Sequence, residues 1–372
     1  PLDLRHPVVS RNFFQNLDKP VLAADVYSQY ELEYLRDNVR NSEWVGRENH
    51  VYLHYTDWGI FCAYLQVLNL RPLLMQPPVK GHVTMGLDPG YAHGCKVAVI
   101  DGTGKVLDTT VVYPTYGERQ KREAIAKLTA LCKKHGVAHI AIGNGTASRE
   151  TEQMTVEMLR GLPGVSYMIV NEAGASVYSA GKLAAEEFPD YDVTVRGAVS
   201  IGRRLIDPLS ELVKIDPKSI GVGQYQHSVD QGKLKARLNT VVESCVNRVG
   251  VNINTASKHI LTYISGLGPA LAENIVAYRA ANGDFKSRKE LLRVPRLGAK
   301  AYEQAAGFLR VVGGNNPLDN SAVHPESYHI VERMAADAGT TVDRLLADKE
   351  LRKAIKPERY VDGQVGLPTV TD

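Results

Sequence analysis

The sequence lacks the short motifs that would assign a chemistry by themselves. Its four cysteines are widely spaced and form no CxxC pair, which excludes a zinc ribbon and a dithiol redox site and is typical of a reducing compartment. No apolar run reaches the roughly 18 residues that a membrane-spanning helix needs. There is also no GK[ST] phosphate loop and no Ser/His/Asp arrangement. We therefore expect an intracellular protein, cytoplasmic or nuclear, with no cofactor, no bound metal and no membrane contact.

Net charge is also small, but it is unevenly distributed. The 372 residues hold 44 Lys and Arg against 41 Asp and Glu, a net charge of +3. Residues 255–312 alone hold nine Lys and Arg against four acids, a local net charge of +5, so the rest of the chain sums to −2. Positive charge concentrated in one segment is typical of a surface that binds nucleic acid. The alternative is an ordinary solvated face.

Two glycine-containing hairpins lie within this basic segment, and Gly268 and Gly298 occupy equivalent places in them. In each copy the pattern predicts a helix, a tight turn and a second helix, which is the helix-hairpin-helix arrangement. The predicted first helices span 257–264 and 289–294, the turns 265–268 and 295–298, and the second helices 269–278 and 300–309. This spacing predicts that the second hairpin lies beside the first.

The hairpins predict a site for phosphate groups. The start of each second helix exposes backbone N–H groups and a partial positive charge. Glycine permits a positive φ and lets a phosphate approach without meeting a β-carbon. The predicted nucleic-acid-binding residues are Gly266, Gly268, Arg296, Gly298 and Lys300. The alternative is that one or both hairpins serve only to pack helices together.

The region before the hairpins predicts a mixed sheet. Short apolar runs predict strands at 83–88, 94–101, 105–113, 137–142 and 165–170, with helices at 119–135 and 149–160 and further helices from about 173. Three antiparallel strands extended by parallel strand–helix units describe a ribonuclease H-like sheet. From 233 onward the sequence reads as helical, with no further strand.

Nucleases with this sheet hold two divalent metals with three or four clustered carboxylates. Asp88 closes the first strand, but no acid stands at 143–145 or at 196–200, where the others are expected. The reserve carboxylates are Glu150, Glu152 and Glu172. We predict that Asp88 and Glu172 are vestigial and that the chain is not an enzyme. The alternative is a metal-dependent nuclease that uses both.

Two other polar segments contain glycine. The turn at 144–150 precedes a helix that Ser148 is predicted to cap, and it either holds an anion or is only a capped loop. Segment 221–227 ends at His227, and a lone histidine is more often structural than catalytic.

Several longer stretches resemble the Tex transcription accessory proteins. They are GLDPGYAHGCKVAVID (86–101), IGNGTASRETE (142–152), NEAGASVYSA (171–180), ELVKIDPKSIGVGQYQH (211–227), VNINTAS (251–257) and NPLDNSAVHPE (316–326). The resemblance covers 68–372, and GYAHGCK is slightly closer to the animal members. It implies an α/β plus all-α fold, in which a YqgF-type ribonuclease H-like domain precedes the tandem hairpins and a small helical domain.

The expected domains follow from the patterns and the resemblance together. They are a helical N-terminal segment (1–78), the YqgF-type domain (79–210), a helical connector (211–250), the tandem helix-hairpin-helix (251–313) and a small helical domain (314–372). The family normally continues into an OB-fold RNA-binding domain, so we expect a fragment of a longer protein.

The leading prediction is a nucleic-acid-binding scaffold in transcription or RNA metabolism. The resemblance implies RNA or single-stranded DNA as the ligand, with little sequence specificity. Two alternatives remain: the metal-dependent nuclease, and a protein-interaction platform for polymerase or the ribosome.

Overall fold

The structure, a computed structural model, describes residues 69–220, 231–361 and 366–371. It forms two compact units, divided between Cys245 and Val246. The predicted helical segment 1–78 lies outside the described residues except for 69–78, of which 69–74 are helical. The polar segment 221–227 lies outside them entirely. No helix within the described ranges is long and apolar enough to cross a membrane.

A five-stranded mixed sheet forms the centre of the first unit. Its strands are β1 (Thr84–Asp88), β2 (Cys95–Ile100), β3 (Val106–Val112), β4 (His139–Gly143) and β5 (Ser166–Val170). The order is β3-β2-β1-β4-β5; β2 pairs antiparallel with β1 and β3, while β4 pairs parallel with β1 and β5. Parallel neighbours need a crossover, which helices provide. This topology confirms the predicted ribonuclease H-like sheet.

Helices cover both faces of this sheet. They are α1 (Glu118–His135), α2 (Ser148–Leu159), α3 (Ala175–Ala180), α4 (Lys182–Glu187), α5 (Val193–Ile206), α6 (Pro208–Leu212) and a 3₁₀ turn at Pro217–Ile220. On one face, Leu128 of α1 and Met154 of α2 pack against Leu87 of β1. On the other, Val199 of α5 packs against Ala98 of β2. The sheet is therefore buried on both sides, as its apolar strands require.

Helix α5 lies directly on β1, and glycine makes this approach possible. A β-carbon on Gly86 would overlap the carbonyl oxygen of Ala198, and Gly202 lies beside the same point. Side chains alternate between the two faces of a strand, so Asp88 points to the same face as Gly86. The last residue of β1 is therefore directed at α5.

The second unit is mainly helical. Its elements begin with the end of α7 (Gln231–Val249) and continue through β6 (Val251–Asn252), α8 (Lys258–Leu261), α9 (Pro269–Asn282), a 3₁₀ helix (Arg288–Arg293), α10 (Ala299–Ala306), β7 (Leu309–Arg310), α11 (Tyr328–Asp337), α12 (Val342–Ala347), α13 (Lys349–Ala354) and α14 (Leu367–Thr371). Further 3₁₀ turns lie at Pro317–Asn320, Pro325–Ser327 and Pro357–Tyr360. Ile330, Met334 and Leu345 form the core of the last helices.

Three local predictions are wrong. The parallel pair β6–β7 was not expected, because strands as short as these cannot create an alternating pattern. The first helices of the hairpins are short, and the second copy has a 3₁₀ helix in that place. Ser148 does not cap α2: Ala147 is the N-cap, with φ 64°, and Ser148 is already helical.

Candidate nucleic-acid interface

The two hairpins have the same construction. The buried apolar positions of the first copy recur at a constant spacing in the second, as the pairs Leu261 and Leu291, Ile264 and Val294, and Leu267 and Leu297. In the first copy, the amide of Leu267 donates to the carbonyl of Ile264 at 2.9 Å; in the second, the amide of Leu297 donates to the carbonyl of Val294 at 3.1 Å. Each hairpin is therefore anchored by equivalent buried side chains and the same backbone turn.

Each second helix begins with amides that its own hydrogen-bond ladder does not use. The ladder starts where Ala272 donates to Gly268 in α9 and where Tyr302 donates to Gly298 in α10, both at 3.0 Å. The backbone amides that precede Ala272 in α9 and Tyr302 in α10 have no partner within their helix. The first copy starts with Pro269, which has no N–H, whereas the second starts with Ala299. The second hairpin therefore offers one more backbone donor.

The left-handed residue of each turn is not the glycine that precedes the helix. Gly268 has φ −94° and Gly298 φ −83°, both in extended conformations that any residue adopts. The positive φ falls two residues earlier, at Gly266 (80°) and Arg296 (67°). The prediction of a positive φ is therefore wrong for Gly268 and Gly298, and it is confirmed for Gly266.

The three glycines also differ in the space around them. A β-carbon on Gly266 would lie 2.7 Å from Cβ of Gln304 and 3.1 Å from the carbonyl oxygen of Ala301. Packing against α10 therefore explains why Gly266 must be glycine. At Gly268 and Gly298 a β-carbon would meet nothing within 4 Å. Neither φ nor internal packing requires glycine there, so these two positions leave open space at the starts of α9 and α10.

The hairpins pack against each other as a pseudo-symmetric pair. Gly266 of the first turn lies against Gln304, and Pro295 of the second turn accepts a hydrogen bond from Nδ2 of Asn274 at 2.9 Å. Asn274 and Gln304 occupy equivalent positions on α9 and α10, so each turn contacts the same place on the other copy's second helix. The two helix starts consequently belong to one compact structure within the second unit.

Positive charge is concentrated at the second hairpin. Arg296 and Lys300 are exposed, and neither has an ion-pair partner among the described residues. The equivalent residues of the first copy are Gly266 and Ala270, which carry no charge. The cation nearest in sequence to the first hairpin, Lys258, lies 3.7 Å from Glu273. The second hairpin therefore combines three amides that its helix does not use with two cations that have no ion-pair partner in the described part of the chain.

Three of the nine cations counted in the segment 255–312 are turned inward. Arg288 is 1% exposed; its side chain donates to the carbonyls of Leu309, Ser321 and Val323 and to Oη of Tyr328. Arg279 donates to the carbonyls of Ile253 and Ala256, and Arg310 to that of Gly307. Burial and the neighbouring Arg288 lower the pKa of Arg310 to about 10. The local charge of +5 therefore overstates the number of cations that can reach a ligand.

The sheet unit brings the carboxylates of Asp88 and Glu172 together. Burial and the negative charge of Glu172 raise the pKa of Asp88 from 3.8 to about 6, against the opposing effect of Lys96. The loop that carries Glu172 is fixed at both sides, since its amide donates to Oδ1 of Asn144 at 3.0 Å and Arg204 donates to the carbonyls of Asn171 and Ala173. The amide oxygen of Asn144 is thus used internally.

The residues beside these carboxylates do not fit a pair of divalent metals. A β-carbon on Gly197 would lie 2.6 Å from Oδ2 of Asp88, and β-carbons on Gly143 or Gly145 would overlap the carboxylate of Glu172. The positions where further acids were expected are therefore filled by the carboxylates that are present. Among the described residues no group of three or more His, Cys, Asp or Glu could hold a metal ion. Two carboxylates cannot supply the ligands that two metals require.

Comparison with known families divides the chain in the same order as the fold. Residues 82–206 match the family described as Tex protein YqgF-like domain. Residues 246–310 match the helix-hairpin-helix motif, and residues 316–372 match the family described as HHH domain. The sheet, the paired hairpins and the helices that follow thus each have a family counterpart.

Whole relatives agree with these matches. The chain is 58% identical over 306 residues to the transcriptional accessory protein Tex of Neisseria gonorrhoeae, covering 82% of this chain and 40% of that protein. It is 55% identical over 306 residues to the protein YhgF of Escherichia coli, covering 82% of this chain and 39% of that protein. It is 41% identical over 326 residues to the human S1 RNA-binding domain-containing protein 1, covering 74% of this chain and 33% of that protein. The chain spans about 40% of the length of the bacterial relatives. On these matches, the chain belongs to the Tex family.

Proposed function

We propose that this chain is a nucleic-acid-binding scaffold whose paired hairpins bind the phosphates of RNA or single-stranded DNA with little sequence specificity. One observation carries the proposal: Gly268 and Gly298 face open space, at the starts of helices whose first amides are unused. Neither glycine is required by its own backbone or by its neighbours. Close approach of a phosphate to those amides explains why Gly268 and Gly298 are both glycine.

The second hairpin is the stronger of the two contacts. A phosphate oxygen accepts from the amides at the start of α10, while the helix dipole, Arg296 and Lys300 balance its charge. Arg296 occupies a left-handed conformation that costs a non-glycine residue about 1 kcal/mol, although its side chain is exposed and forms no ion pair with the described residues. An arginine kept under strain at a surface turn supports a role for its charge. None of these groups reads a base edge, so binding varies little with sequence.

The names of the relatives support a place in transcription or RNA metabolism. One bacterial relative is a transcriptional accessory protein, and the human relative is named for an S1 RNA-binding domain. A scaffold in such a pathway would act inside the cell, in the cytoplasm or nucleus, alongside the transcription machinery or the ribosome. The presence of only two carboxylates at this place in the sheet unit, among the described residues, supports a scaffold rather than a nuclease.

The salt dependence of binding tests the proposal. Arg296→Gly with Lys300→Ala gives the second hairpin the residues that the first has at Gly266 and Ala270, and glycine at 296 relieves the left-handed strain. We expect weaker binding to all sequences alike and a slope of log K against log salt flatter by about 0.7–0.9 for each phosphate that the variant no longer holds. Fluorescence anisotropy with single-stranded RNA and DNA at several salt concentrations measures both.

A matched control separates the local effect from that of total charge. Lys356→Ala with Arg359→Ala also removes two cations from the second unit, in the small helical domain. We expect this variant to keep most of the affinity and the slope of the unmodified chain. An unchanged slope in the hairpin variant, or equal decreases in both variants, would mean that the second hairpin does not hold phosphate.

A further inference from the structure

Three tyrosines of the sheet unit are exposed at one group of loops. Tyr91 lies in the turn between β1 and β2, while Tyr113 and Tyr116 lie in the turn between β3 and α1. Their exposed fractions are 48%, 43% and 54%, high for side chains that normally bury most of their ring. Exposed aromatic rings grouped at one place are typical of a binding surface.

Contacts between the two turns join these rings into one surface. The rings of Tyr113 and Tyr116 meet edge to face, with centroids 5.5 Å apart. Oη of Tyr116 donates to the carbonyl of Ala92 at 3.0 Å, and a β-carbon on Gly94 would lie 2.8 Å from two ring carbons of Tyr113. Tyr113 and Tyr116 therefore lie against the same short turn that carries Tyr91.

Two of the rings are also fixed by their hydroxyl groups. Oη of Tyr91 donates to Oε1 of Glu150 at 2.9 Å, which ties it to the start of α2, and Tyr116 is held by Ala92. A ring whose polar end is anchored loses little further freedom when a flat ligand stacks on its face. This arrangement lowers the entropic cost of stacking.

The charges around the rings favour an anionic ligand. Nζ of Lys127 lies 3.5 Å from the carbonyl oxygen of Val111, near the end of β3 that leads to Tyr113. Lys96 lies beside Gly90 in the β1–β2 turn, and Arg149 precedes the glutamate that holds Tyr91. None of these three cations forms an ion pair with a residue in the described ranges. They outnumber the acids at this place, which are Glu150 at Tyr91 and Asp88 near Lys96. Flat rings with unpaired cations around them are the features that bind single-stranded nucleic acid, by stacking and by attraction to phosphate.

We propose that Tyr91, Tyr113 and Tyr116 form a second nucleic-acid site, which stacks the unpaired bases of a single strand. The site lies on the sheet unit and rests on the proposed function, which it extends from phosphate binding to base stacking. Stacking needs an unpaired base with a free face, so the site binds single strands and not duplexes. Every base has such a face, so the site adds affinity without sequence preference.

Ring removal with a ring-preserving control tests the site. In Tyr113→Ala with Tyr116→Ala we expect the affinity for a short oligothymidylate to fall by about five-fold or more per ring, and the affinity for a duplex of the same length to stay unchanged. The salt slope should stay close to that of the unmodified chain, because no cation is removed. Tyr113→Phe keeps the ring and should bind like the unmodified chain. Unchanged thermal unfolding of the first unit checks that the loops stay folded.

Photo-crosslinking gives a readout that does not depend on total affinity. An oligonucleotide carrying 5-iodouracil should crosslink to peptides that contain Tyr91, Tyr113 or Tyr116, and should still do so in the Arg296→Gly, Lys300→Ala variant. Three results would overturn the proposal and favour a protein partner for this surface. They are crosslinks only to other peptides, equal decreases in affinity for single strands and duplexes in the alanine variant, and unchanged single-strand affinity in that variant. The two sites can fail separately, because the hairpin variant changes the salt slope and the tyrosine variant does not.

Discussion

Valine at Gly298 should separate binding from stability. The backbone at 298 has φ −83° and ψ 174°, which valine adopts readily, and its β-carbon would meet nothing within 4 Å. The remaining cost is that of a poorer N-cap, about 1 kcal/mol or less in the free energy of unfolding. The new methyl groups would occupy the space in front of the unused amides. Removal of a charge-assisted hydrogen bond costs about 1.5–3 kcal/mol, so affinity should fall roughly ten- to a hundred-fold.

Valine at Gly266 provides the opposite case. There φ is 80°, and the β-carbon would lie 2.7 Å from Cβ of Gln304. The strain of a left-handed β-branched residue and the displacement of α10 should together lower the free energy of unfolding by about 2–4 kcal/mol. Urea unfolding and anisotropy measurements on both variants give the two quantities. If Gly298→Val unfolds as easily as Gly266→Val, or binds as tightly as the unmodified chain, the open space at 298 is not where the phosphate lies.

Two further variants have expected outcomes. Arg288→Met should lower the free energy of unfolding of the second unit by about 3–5 kcal/mol, because it leaves one buried carbonyl, two partly buried carbonyls and Oη of Tyr328 without their donor. A decrease below about 1 kcal/mol in urea unfolding would contradict this. The pKa of the Asp88 carboxyl is raised from 3.8 to about 6, so the native state of the unmodified chain loses stability as pH rises through that interval. Asp88→Asn removes this carboxyl. The free energy of unfolding of the variant, relative to that of the unmodified chain, should therefore rise between about pH 4 and 6 by at most about 3 kcal/mol and stay higher above pH 6. Parallel curves of melting temperature against pH for the two proteins would show that the pKa of Asp88 is not raised. The same variant should bind nucleic acid normally, and neither protein should cleave branched DNA, duplex or RNA with Mg²⁺ or Mn²⁺.

The sheet could be predicted from the sequence because its signals are local. Each strand is a short apolar run between turn residues, and the order of strands and helices leaves few topologies for a mixed sheet. The predicted strand ends lie close to the observed ones, as with 83–88 against Thr84–Asp88. The short strands β6 and β7 were missed because they pair through tertiary contact and not through any pattern of their own.

The hairpins were found in the sequence, but their geometry was not. The rule that glycine supplies a positive φ led to Gly268 and Gly298, whereas the left-handed residues are Gly266 and Arg296. An arginine in that conformation has no sequence signal, although its equivalence to Gly266 in the two copies could have indicated it. Charge counting could not distinguish the buried Arg288 from the exposed Arg296, because the two differ only in what surrounds them.

The sequence paired the two carboxylates of the sheet unit but did not indicate its tyrosine surface. Asp88 and Glu172 are far apart in the sequence, and the alignment of the ends of β1 and β5 with α5 brings their charges together. The tyrosine surface was missed because Tyr91 and Tyr116 come from separate turns, on either side of a strand pair. The tyrosines themselves, in glycine-containing turns, were the only sequence signal.

Hydrogen–deuterium exchange at the two turns tests the phosphate contact most directly. The amides at the starts of α9 and α10 are unused by their helices, so they should exchange rapidly in the free protein. With saturating single-stranded RNA or DNA, we expect slower exchange in peptides covering 295–302 and, to a smaller extent, 265–272. The protection at 295–302 should disappear in Gly298→Val. Full binding with no protection at either turn would contradict the proposal that the hairpins hold the phosphates.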